Sequence, residues 1–164
     1  METTMSLDAM TDAEFRAFAE ETIPAYAADK IACGQWREDE ALELSRKELD
    51  ALLPQGQATP GHHLFTLRDG SSGDAVGRLW SAEQQRGSGR IAYVYDIAIF
   101  PAHQRMGYAT RAFEALEDKV RSLGLEGIAL HVFGHNRGAH ALYEKLGFQA
   151  TNIHMFKDLA PAKP

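Results

Sequence analysis

Residues 96–116 read "DIAIFPAHQRMGYATRAFEAL" and join a strand-like pattern to a helical one through a glycine. An apolar run meets Pro101, a short polar turn follows, and Gly107 stands just before the helical spacing of Ala112, Phe113 and Leu116. Glycine is unfavourable inside a helix. Its place at the start of this one therefore indicates a need for a helix N-terminus without side-chain bulk.

The N-terminus of this helix is predicted to bind an anion. The first N–H groups of a helix lack partners within it and carry partial positive charge, which suits phosphate. Gly107 and Ala109 would let phosphate oxygens approach the backbone, and Gln104 and Arg105 would add donors. The stretch contains neither a Walker loop nor the GxGxxG spacing of dinucleotide-binding proteins. The alternative is that Gly107 only lets the helix pack close to the strand.

The flanking patterns predict the element order β-α-α-β-β-β-α-β-α-β. Before the central stretch they indicate a short strand at Met5 and Leu7, and then a helix that begins with the capping box "TDAE" and that Pro24 ends or kinks. A second helix is predicted over 38–53, followed by strands over 62–67, 75–82 and 90–100. After the central helix they indicate a strand over 127–133, an Asn-capped helix that stops at Gly147, and a last strand over 148–159.

This order predicts a mixed α/β fold in a single domain over residues 1–164. The sheet is expected to be mostly antiparallel, with a parallel strand pair around Ile97 and Leu130 that is joined by a right-handed helical crossover. In such sheets, ligands bind beyond the carboxyl ends of parallel strands. The glycine turn is predicted to lie at that edge.

Composition limits the classes of function. The formal net charge of −6 argues against nucleic acid as a general partner, since phosphate backbones require an excess of Lys and Arg. Cys33 is the only cysteine, which excludes an internal disulfide and cysteine-based metal sites, and the histidines show no metal-ligand spacing. No run approaches a membrane span, and the N-terminus does not resemble a signal peptide. A cytoplasmic protein with no metal and no membrane or nucleic-acid partner is expected.

Two motifs resemble those of the GNAT (GCN5-related) N-acetyltransferases. Residues 96–116 resemble the acyl-CoA-binding motif Q/R-x-x-G-x-G/A, with Gln104, Gly107 and Ala109 at the motif positions. Residues 130–148, "LHVFGHNRGAHALYEKLGF", resemble the later motif of a strand, an Asn in the following loop, and A-x-x-L-Y-E-K-x-G-F. The likeness is strong over residues 90–159, and before about residue 60 only the element order fits.

The resemblance implies acetyl-CoA as co-substrate and assigns residues to it. Backbone N–H groups of the turn would hold the pyrophosphate, the strand before it would pair with the pantetheine arm, and Asn136 would bond that arm. The implied cofactor-binding residues are Ile97, Ala98, Ile99, Gln104, Arg105, Met106, Gly107, Tyr108, Ala109, Thr110 and Asn136.

The resemblance also implies two catalytic side chains. Tyr143 matches the family's general-acid tyrosine, which would protonate the departing thiolate; by helical periodicity alone it would be a core aromatic. His131 stands where some members carry a glutamate base, and its near-neutral pKa suits it to accept a proton. It could equally be a hydrogen-bonded core histidine. Asp96, Tyr93, Tyr95 and bulk water are the other candidate bases, and strand alternation puts Asp96 opposite the two tyrosines.

The predicted function is N-acetylation of a primary amine by direct attack on acetyl-CoA in a ternary complex. The acceptor is a small molecule or a protein amine, and Glu20, Glu21, Tyr26, Trp36 and Trp80 are predicted to line its pocket. The alternative is a non-catalytic acyl-CoA-binding or sensor module with the same fold, which would not need Tyr143. A longer acyl donor and either a monomer or a homodimer remain compatible with the sequence.

Overall fold

The computed structural model describes residues 4–161. Within them, five strands and four α-helices follow the predicted order up to the last helix. The strands are β1 (Met5–Ala9), β2 (His62–Asp69), β3 (Ala75–Arg86), β4 (Gly89–Ile99) and β5 (Ile128–Leu130). The helices are α1 (Asp12–Ala32), α2 (Ala41–Leu52), α3 (Tyr108–Ser122) and α4 (Arg137–Lys145), with single 3₁₀ turns at Gly56–Ala58 and Pro101–His103.

The strands form one mixed sheet in the order β1-β2-β3-β4-β5. The first three pairings are antiparallel, and two of them, β2–β3 and β3–β4, join strands that follow each other directly in the chain, whereas β4 and β5 are parallel and joined through α3. This arrangement confirms the predicted fold class of a mostly antiparallel sheet with one parallel pair flanked by helices.

Strand β4 diverges from β5 halfway along its length. The pairing ends at Val94 opposite Leu130, while β4 continues to Ile99 with only β3 beside it. The register between β3 and β4 also shifts, because Trp80 faces Asp96 and Ser81 faces Val94, so Tyr95 is an extra residue in a β-bulge. The parallel strands β4 and β5 therefore splay apart, and the bulge lies where the divergence starts.

The first helix is longer than its sequence pattern indicates. Its start is the predicted capping box, in which the Thr11 side chain accepts from the Glu14 N–H and the Glu14 carboxylate accepts from the Thr11 N–H at 3.0 Å. Pro24 does not end the helix, which continues for two further turns to Ala32. The extension carries Tyr26, Asp29 and Lys30 across the sheet towards the residues after β5.

Two apolar clusters cover the two faces of the sheet. The larger joins β2–β4 to α3, with Leu67, Leu79 and Phe113 fully buried at its centre. The smaller packs α1 and α2 on the other face around Phe18 and Trp80, whose rings meet edge to face at 5.8 Å. The sheet edge between these layers is where the glycine turn lies.

Two strand predictions fail at the C-terminal side. Strand β5 ends at Leu130 and not at Phe133, and residues 148–159 form no strand although they follow a strand-like pattern. From 149 to 161 every residue is exposed. Strand formation requires a partner for backbone N–H and C=O groups, and this segment is paired with no strand in the part of the chain the structure describes.

Candidate active site

The glycine turn lies directly beyond the carboxyl end of β4, as predicted. Pro101–His103 makes a single 3₁₀ turn, after which Arg105 (φ 62°) and Gly107 (φ 79°) adopt left-handed conformations. Gly107 is the N-cap of α3, and no side chain caps that helix start. A methyl group built on Gly107 would meet nothing within 4 Å, so the left-handed backbone and not crowding by the chain requires glycine here.

Side chains around the turn fix it in place and leave the backbone donors accessible. Gln104 donates from Nε2 to the Ile99 carbonyl at 3.1 Å, which ties the turn to the end of β4. The buried Tyr108 hydroxyl donates to Asp69 at 2.6 Å and anchors the start of α3 on β2. These contacts hold the first N–H groups of α3, from Tyr108 to Thr110, directly after the exposed turn residues 104–107.

A second arginine adds positive charge that sequence analysis did not identify. Arg111 donates to the Met106 carbonyl at 2.9 Å, and its guanidinium lies 4.4 Å from the Tyr108 ring centroid. Arg105 is exposed on the turn itself. Two guanidinium groups thus flank an uncapped helix N-terminus, an arrangement suited to a phosphate or pyrophosphate group.

The gap between β4 and β5 has a free strand edge that begins at the bulge. Ile97, Ala98 and Ile99 pair with β3 through one edge only, and β5 does not extend alongside them. An extended ligand arm can therefore add to this edge as a strand would. The edge leads directly into the turn at 104–107.

Tyr143 on α4 packs beside this gap. Its ring meets Phe113 and Phe148 edge to face, at centroid distances of 5.6 and 5.7 Å, so the ring itself is partly a core aromatic. Desolvation, and secondarily the negative charge of Asp96, raise the pKa of its hydroxyl above the ordinary tyrosine value. The hydroxyl therefore remains protonated at neutral pH and is available as a proton donor.

The bulge corrects the predicted placement of Asp96. Simple alternation puts this residue opposite Tyr93 and Tyr95, but the extra residue at Tyr95 returns it to their side, where Trp80 is its neighbour on β3. Asp96 accepts from Nε of the buried Arg78 at 2.9 Å, and the same guanidinium bonds Glu21 on α1. Burial raises the pKa of Asp96, against the opposing charge of Arg78.

His131 lies just past the end of β5 and is exposed, which corrects the prediction of a buried strand position. Its ring contacts Phe133 edge to face at 4.8 Å, and Phe133 in turn lies 6.4 Å from the Tyr26 ring of α1. Partial desolvation, followed by the charge of Lys30, lowers the pKa of His131 below its ordinary value. The imidazole is consequently neutral at pH 7 and able to accept a proton.

Asn136 is the N-cap of α4, in agreement with the sequence pattern. Its Oδ1 accepts from the Ala139 N–H at 3.3 Å. The side-chain oxygen is therefore used within the loop, whereas the amide nitrogen stays available to a ligand. The neighbouring His135 bonds Asp29 of α1 at 2.9 Å and ties this loop to the first helix.

The residues predicted to line an acceptor pocket separate into four places. Tyr26 and Trp36 meet edge to face at 5.5 Å, with the Lys30 ammonium 5.5 and 5.2 Å from their ring centroids. Glu21 joins the Arg78 and Asp96 cluster. Trp80 is a core residue, 3% exposed, and donates to His62 at 3.0 Å; Glu20 lies on an open groove between α1 and α2. Tyr26, Trp36 and Glu21 thus remain candidates for acceptor contact.

Sequence analysis missed Arg78, Lys30 and Arg111. Each lies within a regular element whose charged residues are ordinarily solvated. The only sequence signal was Arg78 itself, a charge within the apolar pattern of a strand. Its pairing with Glu21 and Asp96 joins residues 57 and 18 positions away, which periodicity cannot indicate.

Residues 4–161 contain no cluster of three or more His, Cys, Asp or Glu side chains placed to hold a metal ion. No helix in this range is both long and apolar enough to cross a lipid bilayer.

Comparison with known proteins places this geometry in a family. The family profile described as the acetyltransferase (GNAT) family matches residues 25–148. The uncharacterized N-acetyltransferase YycN of Bacillus subtilis is 38% identical over 95% of this chain and 99% of its own length. YdgE of the same organism, also named an uncharacterized N-acetyltransferase, is 34% identical over 94% of this chain and 98% of its own.

The solved structure of YycN superposes with a TM-score of 0.91, at 37% identity, over 96% of this chain and all of the other. An acetyltransferase structure from Pyrococcus furiosus, 21% identical with a TM-score of 0.64, shares the fold. The matched profile includes the splayed strands, the glycine turn, and the helix with Tyr143. The chain belongs to the GNAT family of acetyltransferases.

Proposed function

We propose that this protein transfers the acetyl group of acetyl-CoA to a primary amine. The observation that carries the proposal is the continuous edge that runs from the bulge in β4 along Ile97–Ile99 to the uncapped start of α3. It offers strand-type pairing for an extended amide-containing arm and then a backbone anion site flanked by Arg105 and Arg111. Pantetheine and pyrophosphate occur in this order in coenzyme A. A site made of backbone N–H groups also explains how a protein of net negative charge can bind an anionic cofactor.

The reaction is direct attack of the neutral amine on the thioester carbonyl. A new C–N bond forms, the tetrahedral oxyanion is stabilised by main-chain N–H groups of β4, and the C–S bond then breaks. The Tyr143 hydroxyl donates its proton to the departing sulfur, so free coenzyme A thiol is released. The proton lost from the amine is taken up by His131, Asp96 or solvent, and the acetamide is the second product.

His131 is the better base of the two side chains. Its pKa is lowered and the imidazole is exposed, so it is neutral and reachable by an incoming amine. Asp96 is buried, which raises its pKa, but the carboxylate is bonded to Arg78 and is less accessible to an incoming amine. A negative carboxylate there would nevertheless attract a cationic amine, as would Glu21, which bonds the same Arg78, and Glu48, which bonds the Tyr26 hydroxyl.

The acceptor is a primary amine, of a small molecule or of a protein. A panel of polyamines, amino acids, aminoglycosides and peptides with free N-terminal or lysine amines, each mixed with acetyl-CoA, tests the function by release of free thiol. Acceptor-dependent thiol release with the matching acetylated product supports the proposal. Tight coenzyme A binding by calorimetry with no acetylated product from any class would favour the alternative of a non-catalytic acyl-CoA-binding module. The protonated Tyr143 beside the gap favours the enzyme.

A further inference from the structure

A buried arginine joins the first helix to the bulge in β4. Arg78 lies on β3, is 9% exposed, and donates from Nε to Oδ2 of Asp96 at 2.9 Å. Its Nη1 group bonds the Glu21 carboxylate of α1. The ring centroid of Phe18, which is also on α1, lies 5.8 Å from the guanidinium carbon. One side chain therefore holds two carboxylates that belong to two different elements.

The environment of this arginine requires that its pairing be complete. A guanidinium and a carboxylate lose hydration when they leave water, and their mutual bonds must offset that loss. The Asp96 side chain is 21% exposed and that of Glu21 is 60% exposed. Burial raises the pKa of Asp96, whereas the charge of Arg78 opposes that rise. Arg78 thus has one mostly buried partner at the bulge and one exposed partner on α1.

The bond to Asp96 spans two strands directly after the bulge. Ala98 is the partner of Arg78 in the register, so Asp96, two residues earlier on β4, is its diagonal neighbour on the same face. Without the extra residue at Tyr95, Asp96 would turn to the opposite face. That face carries Leu79, which is fully buried in the larger apolar cluster, so a carboxylate there would lie among apolar side chains. The bond between Arg78 and Asp96 therefore favours the bulged register.

The bulged register decides which backbone groups of β4 face the gap beside β5. Along a strand, successive residues direct their N–H and C=O groups to opposite edges. A shift by one residue over 96–99 would exchange the groups that pair with β3 for those that face the gap. The gap-facing groups are the ones proposed to pair with the pantetheine arm and to stabilise the oxyanion. An interaction that fixes the bulge therefore fixes these donors.

We propose that Arg78 is a positioning residue for acetyl transfer. By holding Asp96 it maintains the bulged register, and with it the N–H groups of β4 at the thioester. By holding Glu21 it keeps α1 over the same strands. Arg78 acts through the backbone of β4 and does not itself contact the reacting atoms. The inference rests on the proposed function, but the effect of Arg78 on the cofactor arm is measurable without an acceptor.

The chain contains a matched control for this arginine. Arg68 on β2 likewise bonds two carboxylates, those of Asp8 on β1 and Glu14 on α1, at 3.2 and 2.8 Å. It also ties α1 to the sheet, but β3 separates its strand from β4. The variant Arg68→Met therefore removes a comparable set of ion pairs and leaves the register of β4 unchanged.

Affinities for coenzyme A and for ADP, measured by calorimetry, test the positioning role without an acceptor. ADP carries the pyrophosphate but lacks the pantetheine arm, so it reports on the glycine turn alone. Arg78→Met should lower the affinity for coenzyme A and leave that for ADP unchanged, because only the arm pairs with the edge of β4. Amide hydrogen exchange should become faster over residues 95–99 in the same variant. Arg68→Met should keep both affinities and this exchange at wild-type values.

Turnover with an accepted amine is the second measurement. Arg78→Met should lower turnover by about 10–100-fold, the effect of a small displacement of the reacting groups, whereas Arg68→Met should retain it. If Arg78→Met does not fold, Arg78→Lys decides in its place. An ammonium keeps the charge but lacks the planar fork that holds both carboxylates, so losses of the same kind and smaller size are expected.

Three outcomes would overturn the role of Arg78. The first is a folded Arg78 variant with wild-type affinity for coenzyme A and wild-type exchange over 95–99. The second is an equal loss of affinity for ADP, because the effect would then not be confined to the strand edge. The third is an equal loss of turnover in Arg68→Met. A wild-type protein that binds coenzyme A but acetylates no amine would instead refute the proposed function, and the affinity measurements would still test Arg78.

Discussion

At the scale of single residues, the candidate site depends on the protonation state that each environment favours. Tyr143 is desolvated beside the negative Asp96, which raises its pKa and keeps its proton. His131 is partly desolvated beside Lys30, which lowers its pKa and keeps it neutral. Both directions are compatible with a protonated tyrosine and a neutral imidazole at neutral pH. Pairs of groups shifted in opposite directions are typical of acid–base chemistry.

The first prediction is that Tyr143→Phe lowers turnover by about 10²–10⁴-fold, the usual worth of general-acid help. The ring that packs on Phe113 and Phe148 is retained, so stability and acetyl-CoA affinity should change little. Steady-state thiol release, calorimetry with coenzyme A and urea unfolding measure the three quantities. Phe148→Leu is the matched control, because it disturbs the same packing without removing a hydroxyl. Wild-type turnover in Tyr143→Phe would assign the tyrosine to the core alone.

The second prediction concerns the pH dependence of the rate. The base form of His131 is the neutral one, so the rate should rise with pH through the His131 pKa, which is lowered, and level off above it. His131→Ala should reduce turnover and remove this acidic limb, whereas Asp96→Asn should keep it. An acidic limb that persists in His131→Ala and vanishes in Asp96→Asn would make Asp96 the base.

At the scale of elements, β4 and α3 together form the cofactor edge. The bulge at Tyr95 starts the divergence from β5, and the left-handed Arg105 and Gly107 turn the chain into a helix whose first N–H groups stay free. Gln104 and Tyr108 hold the two elements in this relation through Ile99 and Asp69. The site is thus made largely of backbone, and side chains fix its geometry.

The third prediction is that Gly107→Glu abolishes coenzyme A binding, because it introduces a carboxylate among the pyrophosphate-binding amides. Gly107→Gln is the matched control: it carries a side chain of the same size and bears the same strain of a left-handed backbone, roughly 1–2 kcal/mol. Calorimetric titration should show a loss of affinity at least tenfold larger for Glu than for Gln. Equal losses would show that strain at the turn, and not charge at an anion site, controls binding.

At the scale of the whole molecule, one core supports both the sheet and Tyr143. Phe113 on α3 is 1% exposed and contacts the rings of Tyr143 and Phe148. On the other face, α1 reaches past Pro24 and is tied to the loop after β5 by the bond between Asp29 and His135. The site is therefore enclosed by elements from both halves of the chain.

The fourth prediction is that Phe113→Ala costs about 3–5 kcal/mol of the free energy of unfolding, as is usual for a fully buried phenylalanine. This is a large share of the roughly 5–15 kcal/mol that stabilises a domain of this size. Leu42→Ala, at a residue 50% exposed, should cost less than about 1 kcal/mol and serves as control. Urea unfolding measures both, and similar costs for the two variants would contradict the packing described.

Local sequence signals predicted the elements that local interactions stabilise. The capping box at Thr11 and the Asn cap of α4 satisfy backbone groups within a few residues, and the glycine before α3 permits a left-handed turn, so all three can be identified from the chain alone. The order of these elements was then enough to predict the mixed sheet and its parallel pair. The assignment of Tyr143 and His131 came from the family resemblance and stays a prediction.

The features that sequence analysis missed arise from contacts between distant residues. The bulge at Tyr95 depends on the register against β3, and it moved Asp96 to the other face. The helix α1 passes Pro24 because packing on the sheet stabilises it beyond its local preference.

By itself, then, the sequence determined where helices begin, which residues alternate in strands, and that the glycine turn follows β4. Only the tertiary structure decided that Arg78 joins Glu21 to Asp96 and that the strand-like pattern of 148–159 has no partner strand within the described chain. The physical reason is that a helix satisfies its backbone hydrogen bonds internally. A strand needs another strand, whose position and register depend on the whole fold.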